Sequence, residues 1–142
     1  MADLAEPFRT ARIDCVACID ALGFILGAAV AGILGAGVVP IRKGGKLPVA
    51  TEGVDFRDYS GEVKRLEIRP GIVRPGARIL LIDEWIETGA QIGAAAELIE
   101  GQGGAIIAVA TIRMDSNQRI EEIRKRYPVH TLWEEEDGAE DR

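Results

Sequence analysis

The apolar positions of this chain fall into blocks whose period changes several times. Residues 12–19 form a continuous apolar run closed by a turn, as expected of a central strand buried on both faces. Residues 24–34 follow with no polar side, which predicts a helix that must be covered all round. Gly35-Ala36-Gly37 stops it, and residues 38–42 predict a second strand. A third strand is expected over 78–83 and a fourth over 105–112. Between those two, Ile92, Ala95, Ala96 and Ile99 recur at i, i+3, i+4 and i+7, one face of a helix ended by Gly101-Gln102-Gly103-Gly104. Ser116 is the expected N-cap of a further helix with Ile120, Ile123 and Tyr127 on one stripe. Pro128 stops it, and residues 129–133 predict a last strand.

Strands alternating with helices mean an α/β fold, with a mostly parallel central sheet flanked by helices. Residues 43–77 break the rhythm. They are long, polar and interrupted by Gly and Pro, with only 62–69 strand-like. A connection of that length inside a compact domain is usually functional, so the expectation is a β-flap or lid over a site.

Residues 21–41 carry no charge and are long enough to span a bilayer. Five glycines and Pro40 within them, and charges on both flanks, favour a buried helix followed by a strand. No basic segment precedes them, so neither a membrane span nor a signal peptide is expected, and a cytoplasmic protein is. The all-apolar helix over 24–34 points to a subunit interface, hence a homodimer.

At 142 residues one domain is expected, over 1–133, with 134–142 as an acidic, disordered tail. That tail holds six acids and one arginine, so the net charge of −6 leaves the body nearly neutral. No basic stripe with interleaved aromatics stands out, and nucleic acid is not an expected partner. Cys15 and Cys18 with the single His130 fall short of four zinc ligands. On a strand, residues three apart face opposite sides, so the two cysteines read as buried apolar residues, with a redox pair as the alternative. His130 reads as a strand-edge residue.

The most informative run is Ile79-Leu80-Leu81-Ile82-Asp83-Glu84-Trp85-Ile86-Glu87-Thr88-Gly89-Ala90-Gln91. A buried strand ends in two adjacent carboxylates, and a Thr-Gly turn then opens a helix. Ligands in α/β sheets sit at the carboxyl ends of strands, and free N–H groups at a helix start attract phosphate. Adjacent acids suit sugar hydroxyls or a Mg²⁺-bound water. The combination describes a sugar-phosphate site, an ordinary strand–turn–helix with surface acids being the alternative.

At these residues the chain resembles the type I phosphoribosyltransferases, whose fingerprint is a strand ending in two acids, an apolar pair and a T-G-x-T type loop. Arg12-Ile13-Asp14, Ile19-Asp20-Ala21-Leu22-Gly23-Phe24-Ile25-Leu26-Gly27 and Ile41-Arg42-Lys43-Gly44-Gly45-Lys46-Leu47-Pro48 are similar in order and spacing to adenine phosphoribosyltransferases. With Leu66-Glu67-Ile68, the resemblance covers roughly residues 12–112.

The resemblance implies the roles. Asp83 and Glu84 contact the ribose hydroxyls of phosphoribosyl pyrophosphate, and Glu87, Thr88, Gly89, Ala90 and Gln91 wrap its 5′-phosphate. Asp20, Ala21, Leu22 and Gly23 form the pyrophosphate loop, with Arg42, Lys43 and Lys46 reaching the pyrophosphate. Asp58 of Arg57-Asp58-Tyr59 stands where the family has a glutamate that assists proton transfer at the base, a plain turn residue being the alternative. Mg²⁺ is the implied cofactor, arriving with the substrate, with Asp83 and Glu84 the candidates to meet it. The implied reaction transfers ribose 5-phosphate to a purine base, adenine-like, with release of pyrophosphate in nucleotide salvage.

The departures from the family fall at the chemistry. The loop that reads D-S-R-G in adenine enzymes is Asp20-Ala21-Leu22-Gly23 here, Glu87 replaces a small neutral residue, and Gln91 replaces a threonine. Family members also carry a longer N-terminal segment as a hood over the base, whereas about eleven residues precede the first predicted strand. Two readings follow: a working transferase, or a non-catalytic relative that holds a nucleotide or sugar phosphate as a sensor or partner subunit.

Overall fold

Strand β1 (Cys15–Ile19) is central because Val16 to Ile19 are buried on both faces, leaving only its backbone edges to pair. It pairs in parallel with β2 (Gly37–Lys43) on one side and β5 (Arg78–Ile86) on the other. Strands β6 (Ala105–Met114) and β7 (Val129–Glu134) extend the parallel sheet beyond β5. The computed structural model describes residues 1–45 and 50–134; Lys46 and residues 135–142, most of the expected acidic tail, lie outside them.

The expected flap is a hairpin of β3 (Glu52–Arg57) and β4 (Val63–Ile68), paired antiparallel from Glu52↔Ile68 to Arg57↔Val63. It joins the sheet where Arg42 and Lys43 pair with Glu67 and Leu66. The seven described strands therefore run β3-β4-β2-β1-β5-β6-β7. Of the hairpin, only the second strand was expected from the sequence. β3 shows no continuous apolar run, and its form comes from pairing with β4.

Helix α2 (Leu22–Leu34) packs Leu26, Val30 and Ala31 onto one sheet face, where Val16, Leu80 and Ile82 meet them. Gly35 in the left-handed region (φ 66°) ends it, so the charge-free stretch is a helix, a stop and a strand. Within the single chain its outer face is bare: Leu22, Ile25 and Ile33 are exposed. A short α1 (Ala2–Ala5) and a 3-10 turn (Glu6–Phe8) close the same core with Leu4, Ala5 and Phe8, a contribution the sequence reading did not anticipate. The other face carries α3 (Ala90–Gly101) and α4 (Gln118–Arg126) over Ile79, Leu81 and Val109.

The cysteines face opposite sides. Cys15 packs toward the α3 face, Cys18 lies fully buried beneath Gly27 of α2, and both are free thiols. Burial pushes the Cys18 thiol up to about 11, which keeps it protonated and inert. A Cβ built on Gly27 falls 2.5 Å from the Cys18 Cβ, so the helix sits on the strand only because residue 27 has no side chain. Gly27→Ala is expected to destabilise the protein by about 1–3 kcal/mol despite alanine's better helix propensity. Urea unfolding measures this, and a more stable variant contradicts the close packing. His130 of β7 is structural: its Nε2 lies 3.1 Å from the Asp3 carbonyl oxygen, and its ring meets Phe8 edge-on.

Candidate functional site

Strand β5 runs three residues further than expected, so it carries both acids and continues past them to Ile86. Asp83 pairs with Thr111 and Trp85 with Arg113 of β6, which extends the ladder past the core. Asp83 is almost fully buried. Its Oδ1 accepts the Glu84 N–H at 2.9 Å, and its Oδ2 accepts the Gln91 amide, Nε2, at 2.8 Å. Burial, then hydrogen bonding and charge from Glu84, push its carboxyl up to about 8. Glu84 Oε2 is buried with no hydrogen-bond partner among the described residues. Buried polar atoms are normally satisfied, so an orphan oxygen here marks a place for a ligand group.

Beyond the acids the chain turns at residues 87–89 and enters α3. Gly89 has φ 84°, and a Cβ there meets Ile123 Cδ1 at 2.9 Å, so both backbone and packing demand glycine. Thr88 Oγ1 accepts the Ala90 N–H at 3.2 Å. The expected cap of α4, Ser116, yields to its neighbour. Asn117 Oδ1 accepts the Ile120 N–H at 3.0 Å while its Nδ2 donates to the Glu87 carbonyl at 2.9 Å. That second bond, from 30 residues away, braces the turn at 87–89.

These elements enclose a cavity of about 560 Å³. Asp83, Glu84, Glu87, Thr88, Gly89 and Gln91 line one side, Asp20, Ala21, Leu22 and Lys43 another, and Asp58, Tyr59 and Lys64 of the flap a third. Gly23 and Ala90 are buried behind the wall rather than lining it. Arg42 is also set back, its Nε 3.8 Å from Asp20 Oδ2 and its guanidinium over the Phe24 ring. Lys64, absent from the sequence reading, joins Lys43 as the cavity's other lining cation among the described residues. Its surroundings gave no local signal, since β4 places it only through the hairpin register. A second hollow of about 590 Å³ lies beyond Gly89, between the hairpin, α3 and α4, without paired acids.

Asp58 serves the flap turn first. Its Oδ1 accepts from Ser60 N (2.9 Å), Ser60 Oγ (2.6 Å) and Glu62 N (3.1 Å), while Lys64 Nζ lies 3.8 Å from Oδ2. Chiefly through the Ser60 hydroxyl, the carboxyl is held below its ordinary range. Beside the acids, Ile86 and Met114 face the α3–α4 core, which turns Trp85 and Arg113 to the opposite face. There the Arg113 guanidinium lies between Trp85 (4.7 Å) and Trp133 (4.9 Å), and Asp115 accepts the Trp85 indole N–H at 2.8 Å.

The profile of the phosphoribosyl transferase domain family matches residues 4–137. The chain belongs to the phosphoribosyltransferase family. It is 42% identical over 130 residues to an adenine phosphoribosyltransferase of Chloroflexus aurantiacus, covering 91% of this chain and 74% of that one. To the adenine phosphoribosyltransferase of Sorangium cellulosum it is 41% identical over 109 residues, which are 77% of this chain and 54% of that protein. The chain thus spans about half the length of that second relative. The crystal structure of adenine phosphoribosyltransferase from Rhodothermus marinus superposes with a TM-score of 0.87 at 34% identity, over 94% of this chain and 76% of that one. The expected α/β architecture is that of these phosphoribosyltransferases.

Proposed function

We propose that the protein is a phosphoribosyltransferase that moves ribose 5-phosphate from phosphoribosyl pyrophosphate onto a purine base, adenine or a close analogue, in nucleotide salvage. One observation carries this reading: the adjacent acids Asp83 and Glu84 of β5, the first of them buried, share one cavity with a glycine-opened helix start. The acids suit the ribose hydroxyls and the loop at 87–91 suits the 5′-phosphate. The names of the similar proteins supply the base.

A purine nitrogen attacks the anomeric carbon, the bond to the pyrophosphate oxygen breaks with its electron pair, and the base loses a proton. Asp58 of the flap would take that proton through Oδ2, as a weak base because its Oδ1 is held by the turn. The flap excludes water that would otherwise intercept the activated ribose. Lys43, Lys64 and Lys46 take the pyrophosphate, with Asp20, Ala21 and Leu22 shaping its loop.

Mg²⁺ fits the donor set, since two adjacent carboxyl groups with an orphan oxygen suit a hard cation that keeps its waters and the ligand's phosphates. Asp83 and Glu84 would hold it, and it would offset charge on the departing pyrophosphate. Two carboxyl groups leave most of the ion's coordination to water and the phosphates of the substrate it accompanies.

A second reading, a non-catalytic relative holding a nucleotide or sugar phosphate, is favoured by exposed Leu22 in the pyrophosphate loop. Pyrophosphate release assayed with adenine and Mg²⁺ separates the two. Release that needs both supports the transferase, and saturable ligand binding without release supports the relative.

The protein also pairs with a second copy through the outer face of α2. Ile25 is 64% exposed there, with Ile33 and Val38 nearby in sequence and also bare. Sedimentation at micromolar concentration is expected to give a dimer, and Ile25→Asp a monomer; a monomeric parent contradicts the interface. No described helix is long and apolar enough to cross a membrane, and free thiols suit a reducing compartment, the cytoplasm.

A further inference from the structure

We infer that Gln91 is a positioning residue, joining the ribose half of the site to its phosphate half by committing its amide to Asp83. This deepens the phosphoribosyl reading and rests on it. Gln91 is the second residue of α3, directly after the phosphate loop, while Asp83 lies eight residues earlier on β5. The Nε2–Oδ2 bond of 2.8 Å therefore spans the mouth of the loop.

Three features make the bond more than a chance surface contact. Asp83 is 2% exposed, so an acceptor atom deprived of this donor has little water to replace it. Its other oxygen is already taken by the Glu84 N–H, so the two bonds together fix the rotation of the carboxyl group. The start of α2 closes the remaining side, where a Cβ on Gly23 would stand 3.6 Å from Asp83 Oδ1. A threonine at position 91 has its hydroxyl on Cβ and falls short of this reach by two bonds. The glutamine thus does for the acid what a shorter polar residue cannot, and its side chain is spent on Asp83 instead of the 5′-phosphate.

Calorimetric titration of the full chain with ribose 5-phosphate, and separately with inorganic phosphate, tests this. Gln91→Met keeps the side chain's length and removes the donor; Gln91→Leu is the second variant, each checked for native fold by circular dichroism. Loss of this buried hydrogen bond is expected to weaken ribose 5-phosphate about tenfold while inorganic phosphate changes less than about twofold. In an Asp83→Asn background the Gln91 substitution is expected to add little, because it acts through that carboxyl. Equal losses for both ligands would make Gln91 a phosphate ligand and overturn the inference, as would additive losses in the double variant. An unsubstituted chain that takes neither ligand overturns the phosphoribosyl reading itself. One that takes both, with Gln91→Met unchanged, overturns only the role of Gln91.

Discussion

Asp83→Asn is expected to stabilise the unliganded protein above neutral pH while weakening its binding of Mg²⁺-phosphoribosyl pyrophosphate. Burial, reinforced by Glu84, raises the folded carboxyl to about 8, whereas the unfolded chain titrates near its ordinary value of about 4. Between those values the folded state holds a proton that the unfolded state has released. The unfolded state then binds fewer protons, so stability falls as pH rises from about 4 and the loss is complete above about 8. Asparagine mimics the neutral form and does not titrate. At pH 8.5 the variant should be more stable by something on the order of 2 kcal/mol, with the difference vanishing toward pH 4. Binding moves the other way above about pH 8, where the carboxyl is ionised: the ribose hydroxyls lose a charged acceptor and affinity falls about ten- to a hundredfold. Urea unfolding between pH 4 and 9, paired with calorimetry, reads both. A variant less stable at pH 8.5, or one that binds as tightly as the parent, contradicts this account of the site.

Leu22→Arg is expected to produce the largest gain. Leu22 is 58% exposed at the cavity edge, in a wall where Asp20, Asp58, Asp83, Glu84 and Glu87 face only Lys43 and Lys64 among the described residues. Such a cavity repels a polyanion unless divalent ions accompany it. A guanidinium at position 22 adds a two-pronged phosphate donor where the resemblance implies one belongs. Affinity for phosphoribosyl pyrophosphate should rise about ten- to a hundredfold, while ribose 5-phosphate, which lacks the pyrophosphate, changes less than about twofold. Stability of the single chain should barely move, because within it the side chain is in solvent. Equal gains for both ligands would place the new charge at the 5′-phosphate instead and refute the assignment of this loop.

How far the chain could be read in advance depended on where the physics is local. β1 and β5 are buried on both faces, so their apolar runs are continuous and announce themselves. The acids and the Thr-Gly turn were visible for the same reason: they interrupt such a run abruptly. β3 was not, because Glu52-Gly53-Val54-Asp55-Phe56-Arg57 is only partly covered and owes its form to β4. Ser116 and Asn117 are equally good caps in isolation, and the Glu87 carbonyl that Asn117 also holds is distant in sequence. The Gln91–Asp83 bond is a matter of side-chain reach across a loop, which no periodicity records. Arg42, which the resemblance implies reaches the pyrophosphate, lies beside Asp20 and over the Phe24 ring, contacts that likewise leave no local signal in the sequence.

The sandwich of Arg113 between Trp85 and Trp133 has an optical consequence. The chain contains two tryptophans, and both stack on this one guanidinium. Their combined ultraviolet emission therefore originates in a single patch whose inner member, Trp85, also borders the cavity. Tryptophan emission is thus an unlabelled signal whose ligand-dependent part is expected to come from Trp85.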